Sequence, residues 1–430
     1  RIQLAVISSQ RAESRGQEAG VFSVVAEIDP ANPKWFERFA KLPVLPGLPR
    51  LWRGPLGNGR QDSWPHPLGT LCRLQPNPSP EDVSWEAYSL PIDRPGKPHL
   101  LEIRYPSDQP QTLAIRIVEP NSAGVVAPIG PESGIQLSEE VVSDGSPPRW
   151  LEHRMIFWPQ TRTPMVLIAN CRTDTPALYG RIRVLAGPER LPPASGGPIS
   201  APGRRYYAYL HRPLFARTFG APESADSPPE RGLDDWSTFY VGGVRLVEAL
   251  RYGGYDGATI PALCDGSALY PSRLLQSTPR YDTGLLLETG LDPVRKDVLE
   301  MLFRLFDREG LTLIPMLEFV SPLPALEARC REEDSAGTGL RWIGPEGKAW
   351  SDQYPSHAGR APYYNLLNPE VQQAMLEVIQ EVVTRYRNHP AMGGLALHLS
   401  GWGYAQLLGP QWGMDDQTIA QFQRDTGLEL

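Results

Sequence analysis

The stretch HLLEIRYPSDQPQTLAIRIV, residues 99–118, decides how the first half of this chain reads. Leu101, Ile103 and Tyr105 lie on one face of an extended segment, and Glu102 and Arg104 lie on the other. Leu113, Ile115 and Ile117 repeat the alternation beyond a polar turn. A period of two belongs to a half-buried strand, and no helical period intrudes.

The same texture extends to both sides. Runs rich in β-branched and aromatic residues recur at Trp85–Ile92, His99–Tyr105, Thr112–Val118, Gly134–Val142, Leu151–Trp158, Met165–Cys171 and Leu178–Leu185, with turn signals between them. Such spacing predicts a jelly-roll-like β-sandwich over residues 81–187. Residues 1–80 carry short strand-like runs at Ile2–Ala5 and Val21–Ile28 and a proline-rich coil around Pro43–Pro49. They are expected to be an extension packed on the sandwich. The tract GPERLPPASGGPISAPGR (residues 187–204) is too polar to bury and is stiffened by proline, so 188–204 reads as a linker.

After the linker the period changes. Arg205–His211 reads as a strand. Tyr240–Tyr252 carries Val241, Val244, Val247 and Leu250 at helical spacing and stops at Gly253-Gly254. Asp256–Leu263 is the next strand. Asp292 is placed to cap a helix with Pro293 in its first position, Val294, Val298, Met301, Leu302 and Leu305 inward, and Gly310 at its end. Leu311–Phe319 comes next as a buried strand. Asn368 and Pro369 open a further helix with Val371, Met375, Ile379, Val382 and Tyr386 inward; Gly393–Leu399 is a fourth strand. Asp416 is placed to cap a last helix, with Ile419 and Phe422 inward and Gly427 at its end. Repeated strand–helix alternation requires a parallel sheet. Pro261 and Pro315 sit awkwardly in it, because a central strand needs its N–H groups.

Composition bounds the function. At 430 residues the chain should hold two or three domains. A net charge of -7 argues against a nucleic-acid partner, which usually needs a basic face. No apolar run approaches the ~20 residues that cross a bilayer. Cys72, Cys171, Cys264 and Cys330 form no C-x-x-C pair, so buried thiols or one disulfide are expected in place of a zinc site. No metal or other cofactor is expected.

Several segments of the second half carry a resemblance. Asp234–Trp236, Gly253–Ala258, CDGSALYPS (264–272), PRYDTG (279–284) and NPEVQQAMLEVIQEVVTRY (368–386) leading into GGLALHLSG (393–401) resemble the uncharacterised glycosyl-hydrolase-like β/α (TIM) barrels of polysaccharide-degrading bacteria. The resemblance covers about residues 205–430. It implies the first half of a TIM-type barrel fused to a sandwich of the carbohydrate-binding kind, O-glycosyl hydrolysis, and a polysaccharide or oligosaccharide partner. It also implies an extracellular or periplasmic location. Only four β/α units are present where such barrels have eight, which leads to the expectation of a piece of a longer protein. The fourth strand ends His398-Leu399-Ser400-Gly401-Trp402, where related barrels carry an acid. That feature favours a rival reading, a non-catalytic carbohydrate-binding or surface-structural protein.

Glycoside hydrolysis needs two carboxyl groups, and in a β/α barrel they stand at the carboxyl ends of the strands. Glu318 ends the third strand on the face of Ile314 and Met316, and Asp265 comes directly after the second. An ion pair with arginine is the bland reading of Glu318, and turn chemistry that of Asp265-Gly266. His211, Arg212 and His398 at strand ends could hold substrate, or could merely be satisfied by neighbouring loops. Trp342, Trp350, Tyr364 and Trp402 fall in the loops after strands three and four. Aromatic rings offer sugars a flat apolar platform, although part of the set must be plain packing.

Overall fold

The computed structural model of the protein describes residues 22–32, 56–120, 126–142, 147–194, 204–210, 218–219, 236–264, 267–275, 297–320, 322–332, 339–354, 364–401 and 403–428. They divide into two compact units. The first holds the described residues up to 194, with 218–219 and 236–254; the second holds 204–210 and 255–428.

In the first unit the alternating runs become strands β1 (Ser23–Ile28), β2 (Leu56–Gly57), β3 (Gln61–His66), β4 (Gly69–Leu74), β5 (Trp85–Ser89), β6 (His99–Pro106), β7 (Gln111–Pro120), β8 (Val126–Leu137), β9 (Trp150–Phe157), β10 (Met165–Asn170), β11 (Ala177–Tyr179) and β12 (Ile182–Ala186). Antiparallel pairing orders them β1-β12-β6-β9 in one sheet, β2-β5-β10-β7-β8 in another and β11-β4-β3 in a small third. Leu101, Ile103 and Tyr105 of β6 meet Leu113, Ile115 and Ile117 of β7 in one buried cluster with Phe157, Val166, Ile168 and Val184. Two sheets that share one apolar interior form a β-sandwich.

Three expectations need correction here. Residues 1–80 are more than an extension: β1 and β2 close an edge of each large sheet, and β3 and β4 build the third. Sheet edges left bare would pair with other chains, so early strands that cover them are part of the fold. Ile2–Ala5 and Pro43–Pro49 lie outside the described residues. The run Gly134–Val142 breaks at Leu137, and Glu139–Val142 form a single helical turn, α1, with two acids at its positive end. The helix read as the barrel's first, α2 (Trp236–Gly253), belongs to the first unit. It buries Phe239, Leu246, Val247 and Leu250 and leaves Val241 exposed. Its Arg245 donates to the carbonyls of Gly96 (3.0 Å) and Phe219 (2.9 Å), and burial pulls that guanidinium down to about 10.

The second unit contains β13 (Tyr207–Tyr209), β14 (Gly257–Cys264), β15 (Ser267–Ala268), α3 (Val298–Glu309), β16 (Thr312–Leu317), α4 (Pro324–Glu332), α5 (Trp350–Gln353), α6 (Pro369–Tyr386), β17 (Ala396–Leu397) and α7 (Asp416–Thr426). The strands β13, β14, β16 and β17 are parallel neighbours in chain order, as in half of a β/α barrel. A closed TIM barrel is not formed by the described residues. Asp297 caps α3 by accepting from Glu300 N, whereas Asp292 lies outside the described residues. Gly310 ends α3 with φ +66°, a conformation that costs a residue with a Cβ more. Asp415 caps α7 where Asp416 was expected, and Phe422 is exposed. On α6 the buried stripe takes Val378, with Ile379 only half-buried beside it.

The two awkward prolines have a geometric answer. In a parallel strand, successive residues offer their N–H and C=O groups to alternate neighbours. Thr259 O accepts from Leu210 on the β13 side, so Pro261, two residues on, directs its missing N–H toward β13. Leu313 exchanges bonds with Ala391 and Gly393 on the β17 side, so Pro315 faces β17. Neither proline's missing N–H falls on the central β14–β16 ladder, which runs from Gly257↔Thr312 to Leu263↔Leu317 with a register shift between Pro261 and Leu263.

Polar clamps hold α6 to α3. Tyr386 and Arg385 donate to Asp297 (2.6 and 2.9 Å), and His389 bridges Asp307 (2.6 Å) and Glu300 (2.9 Å) while stacking on Phe303. Burial lowers the His389 pKa, but hydrogen bonds to the two carboxylates outweigh it and hold it above 6.5. Burial raises the Glu300 pKa, but His389 and Arg304 outweigh it and hold it below 4.5. A raised histidine stabilises below its unfolded pKa and loses that contribution as pH rises through the folded value. A depressed glutamate stabilises above its unfolded pKa and loses it as pH falls. The clamp should therefore be strongest between about pH 4.5 and 6.5. Urea midpoints should fall from pH 5.5 to pH 8 by more in the parent than in His389→Gln. Equal falls in the two proteins would show that the clamp contributes nothing.

Candidate functional site

The carboxyl ends of the four parallel strands bring three polar groups together. Beyond β16 the ladder continues, Glu318 N donating to Leu263 O (2.9 Å), and beyond β17 His398 N donates to Leu317 O (2.8 Å). These bonds fix both side chains at the strand ends. Met316 and Glu318 share a face, as alternation requires, and both are buried, Glu318 at 7% exposure. Its Oε1 lies 3.3 Å from His398 Nδ1. The Tyr209 ring of β13 meets the His398 ring edge-on, with centroids 6.5 Å apart. In a flat sheet strands three places apart lie about 14 Å apart, so rings in contact mean that this sheet curls toward the face bearing Tyr209 and His398.

Chemically, one neighbour of Glu318 is an imidazole. A carboxyl and an imidazole side by side are the groups that general acid–base catalysis uses most. The loop after β14 is held by Glu381 of α6, which accepts from Ser272 Oγ (2.6 Å), Arg273 N (2.7 Å) and Tyr270 Oη (3.2 Å). Asp265, at the start of that loop, lies outside the described residues, as do His211, Arg212 and Trp402.

The aromatic set divides. Trp342 and Tyr364 are 2% and 0% exposed, so neither presents a face to a ligand, and both leave the substrate-binding set. Tyr364 donates to Glu327 (2.7 Å), accepts from Leu323 N (3.1 Å) and meets Tyr404 edge-on; Tyr404 in turn packs on Phe319, the residue after Glu318. Burial, then the Glu327 carboxylate, pushes the Tyr364 phenol well above its usual range, so it stays a donor. These rings are the interior of a long loop that needs a core of its own. Trp350 is different: half-buried, it packs against the exposed Tyr354 at 4.9 Å and keeps part of its surface open.

No family model matches the chain, and no curated protein matches it. Solved structures match about a third of it. A xylan-binding family 22 carbohydrate-binding module from Paenibacillus barcinonensis is similar at 10% identity, over 31% of this chain and 87% of the module, with a TM-score of 0.23. A family 28 module specific for non-crystalline cellulose is similar at 11% identity, over 34% and 92%, with a TM-score of 0.22. A family 61 module in complex with β-1,4-galactotriose is similar at 7% identity, over 31% and 86%, with a TM-score of 0.21.

Sequence reasoning named Glu318 and His398 separately and missed their pairing, and it missed Tyr209 altogether. The signal for Tyr209 was available. It lies in the aromatic run that opens the first strand, and the carboxyl end of a barrel strand is where such a residue faces the mouth.

Proposed function

We propose that this chain acts on a polysaccharide as a glycoside hydrolase, with Glu318 as the carboxyl group that exchanges a proton with the glycosidic oxygen. The observation that carries the reading is a buried carboxyl at a strand end, 3.3 Å from the His398 imidazole. Asp265, on the neighbouring strand's end, is the partner carboxylate in this proposal, because adjacent strands are about 4.8 Å apart and glycosidase carboxyls stand roughly 5–9.5 Å apart. His398 and Tyr209 would orient a sugar hydroxyl, and Trp350 with Tyr354 would offer a stacking surface. His211, Arg212 and Trp402 remain proposed contacts of the same mouth. The sandwich would be a binding module of an extracellular or periplasmic protein.

A second reading has one feature in its favour: β17 leads into His398-Leu399-Ser400 without an acid. On that reading the chain binds a carbohydrate and cuts nothing. Incubating the full chain with a panel of neutral and acidic polysaccharides, and assaying both released reducing ends and retention on the immobilised polymers, separates the two. Release supports hydrolysis. Retention without release from any polymer sinks it and leaves the binding protein.

A further inference from the structure

Within the sandwich unit a cleft of about 310 Å³ is lined by Asp29, Asn32, Leu68, Arg104, Trp150 and Arg181. Its residues come from the turn after β1, the β3–β4 hairpin, β6, the start of β9 and the β11–β12 turn. The backbone there is stitched from both directions: Arg104 N donates to Arg181 O (3.0 Å), and Gly180 N donates to Arg104 O (2.7 Å). Gly180 lets the indole lie close, since a Cβ on it would stand 2.7 Å from Trp150 Cη2. Trp150 is thus packed on the turn yet only half-buried. The Asp29 carboxylate accepts from Ala31 N (3.2 Å) and from Asn32 N and Nδ2 (both 3.3 Å), which holds the exposed Asn32 in place.

Charge decides what such a cleft takes. Arg104 is held by Glu152 (3.2 Å), which Arg154 and Arg183 also approach, and Arg181 by Glu27 (3.1 Å), so both guanidinium groups of the lining already have carboxylate partners, and Asp29 is the carboxylate that lines the cleft itself. An acidic sugar would have to compete with those partners for the arginines and would meet the Asp29 carboxylate. An uncharged ring gains everything the lining offers. Its C–H face can rest on the indole and on Leu68, and its hydroxyls can both donate to Asp29 or Asn32 and accept from the arginines. The volume is at the small end of the roughly 300–1,000 Å³ of small-molecule pockets, which suits one or two sugar rings.

We propose that this cleft binds one or two units of an uncharged sugar, so that the polysaccharide engaged by the chain is a neutral one. This rests on the polysaccharide reading above and adds a second site to it. Calorimetric titration of the chain with cellobiose, xylobiose and lactose, and separately with digalacturonate, tests it. At least one neutral disaccharide should bind, at least tenfold more tightly than digalacturonate. Trp150→Ala should weaken that binding about tenfold or more, as truncated aromatic anchors do. Asn32→Ala, at an exposed position where folding is not at stake, should weaken it severalfold with an unchanged melting temperature. Tighter binding of digalacturonate, no binding of any neutral disaccharide, or parental affinity in both variants would each overturn the proposal. Reducing ends released without any disaccharide titration would sink the cleft and spare the hydrolase. Trp150-dependent titration without release from any polymer would do the reverse.

Discussion

Glu318→Gln is expected to lower the rate of polysaccharide cleavage by about 10²–10⁴, the usual contribution of a positioned acid or base. Glutamine keeps the shape of the side chain beside the His398 ring, 3.3 Å away in the parent. What it loses is the proton. The site favours reading such a loss as chemical, because Glu318 is only 7% exposed and a neutral amide is less costly to bury than a carboxylate. Stability should therefore hold or rise, and the Michaelis constant should change little, since the interaction removed is one made in the transition state. Initial rates and a thermal melt on the same preparation check both halves. Undiminished cleavage by a well-folded Glu318→Gln protein would remove this residue from the mechanism.

Phe157→Ala should destabilise the sandwich unit by about 3–5 kcal/mol, the usual cost of truncating a buried phenylalanine. Phe157 is fully buried, its strand pairs in register with β6, and its ring tilts against His99 at 5.9 Å. The cavity left behind would sit among side chains of both large sheets, which cannot close on it without disturbing two ladders at once. Against a typical domain stability of roughly 5–15 kcal/mol this is a large share. Urea unfolding should show a lowered midpoint with an unchanged slope. Leu56→Ala, on a side chain that is 54% exposed, is the control and should shift the midpoint by about 0.5 kcal/mol or less. Equal effects from the two substitutions would mean that this interior is not what holds the unit together.

The contrast between those two residues also explains what could be read from the chain alone. The alternation in β6 and β7 was legible because burial on one side imposes a period of two on the sequence itself. Helix ends were less legible. Asp297 and Asp415 do the capping where Asp292 and Asp416 were expected, because acids one or a few residues apart offer nearly the same local signal. The aromatic set failed for a different reason. Trp342 and Trp350 lie in the same loop segment and look alike in sequence, and only the packing of that segment decides that one is sealed and the other half open. Individual residues such as Tyr209 left a local signal, but the contacts between distant segments did not. Tyr209 meets His398, and the sandwich cleft draws on five separate segments, so neither could be assembled from spacing.

The placement of Pro261 and Pro315 has a mechanical consequence. Both turn their missing donors outward, so the β14–β16 pairing runs past them from Gly257↔Thr312 to Leu263↔Leu317 with one register shift after Pro261, while the ladders of β13 and β17 hold three and two residue pairs. Stiffness is thus distributed unevenly across the mouth. Glu318 rides on the central pair, bonded to Leu263, whereas Tyr209 and His398 ride on lightly fastened flanks. Breathing of the sheet should move the imidazole and the phenol while the carboxyl stays still, so the flanks can adjust around an incoming ring and leave the proton carrier as the fixed point of reference.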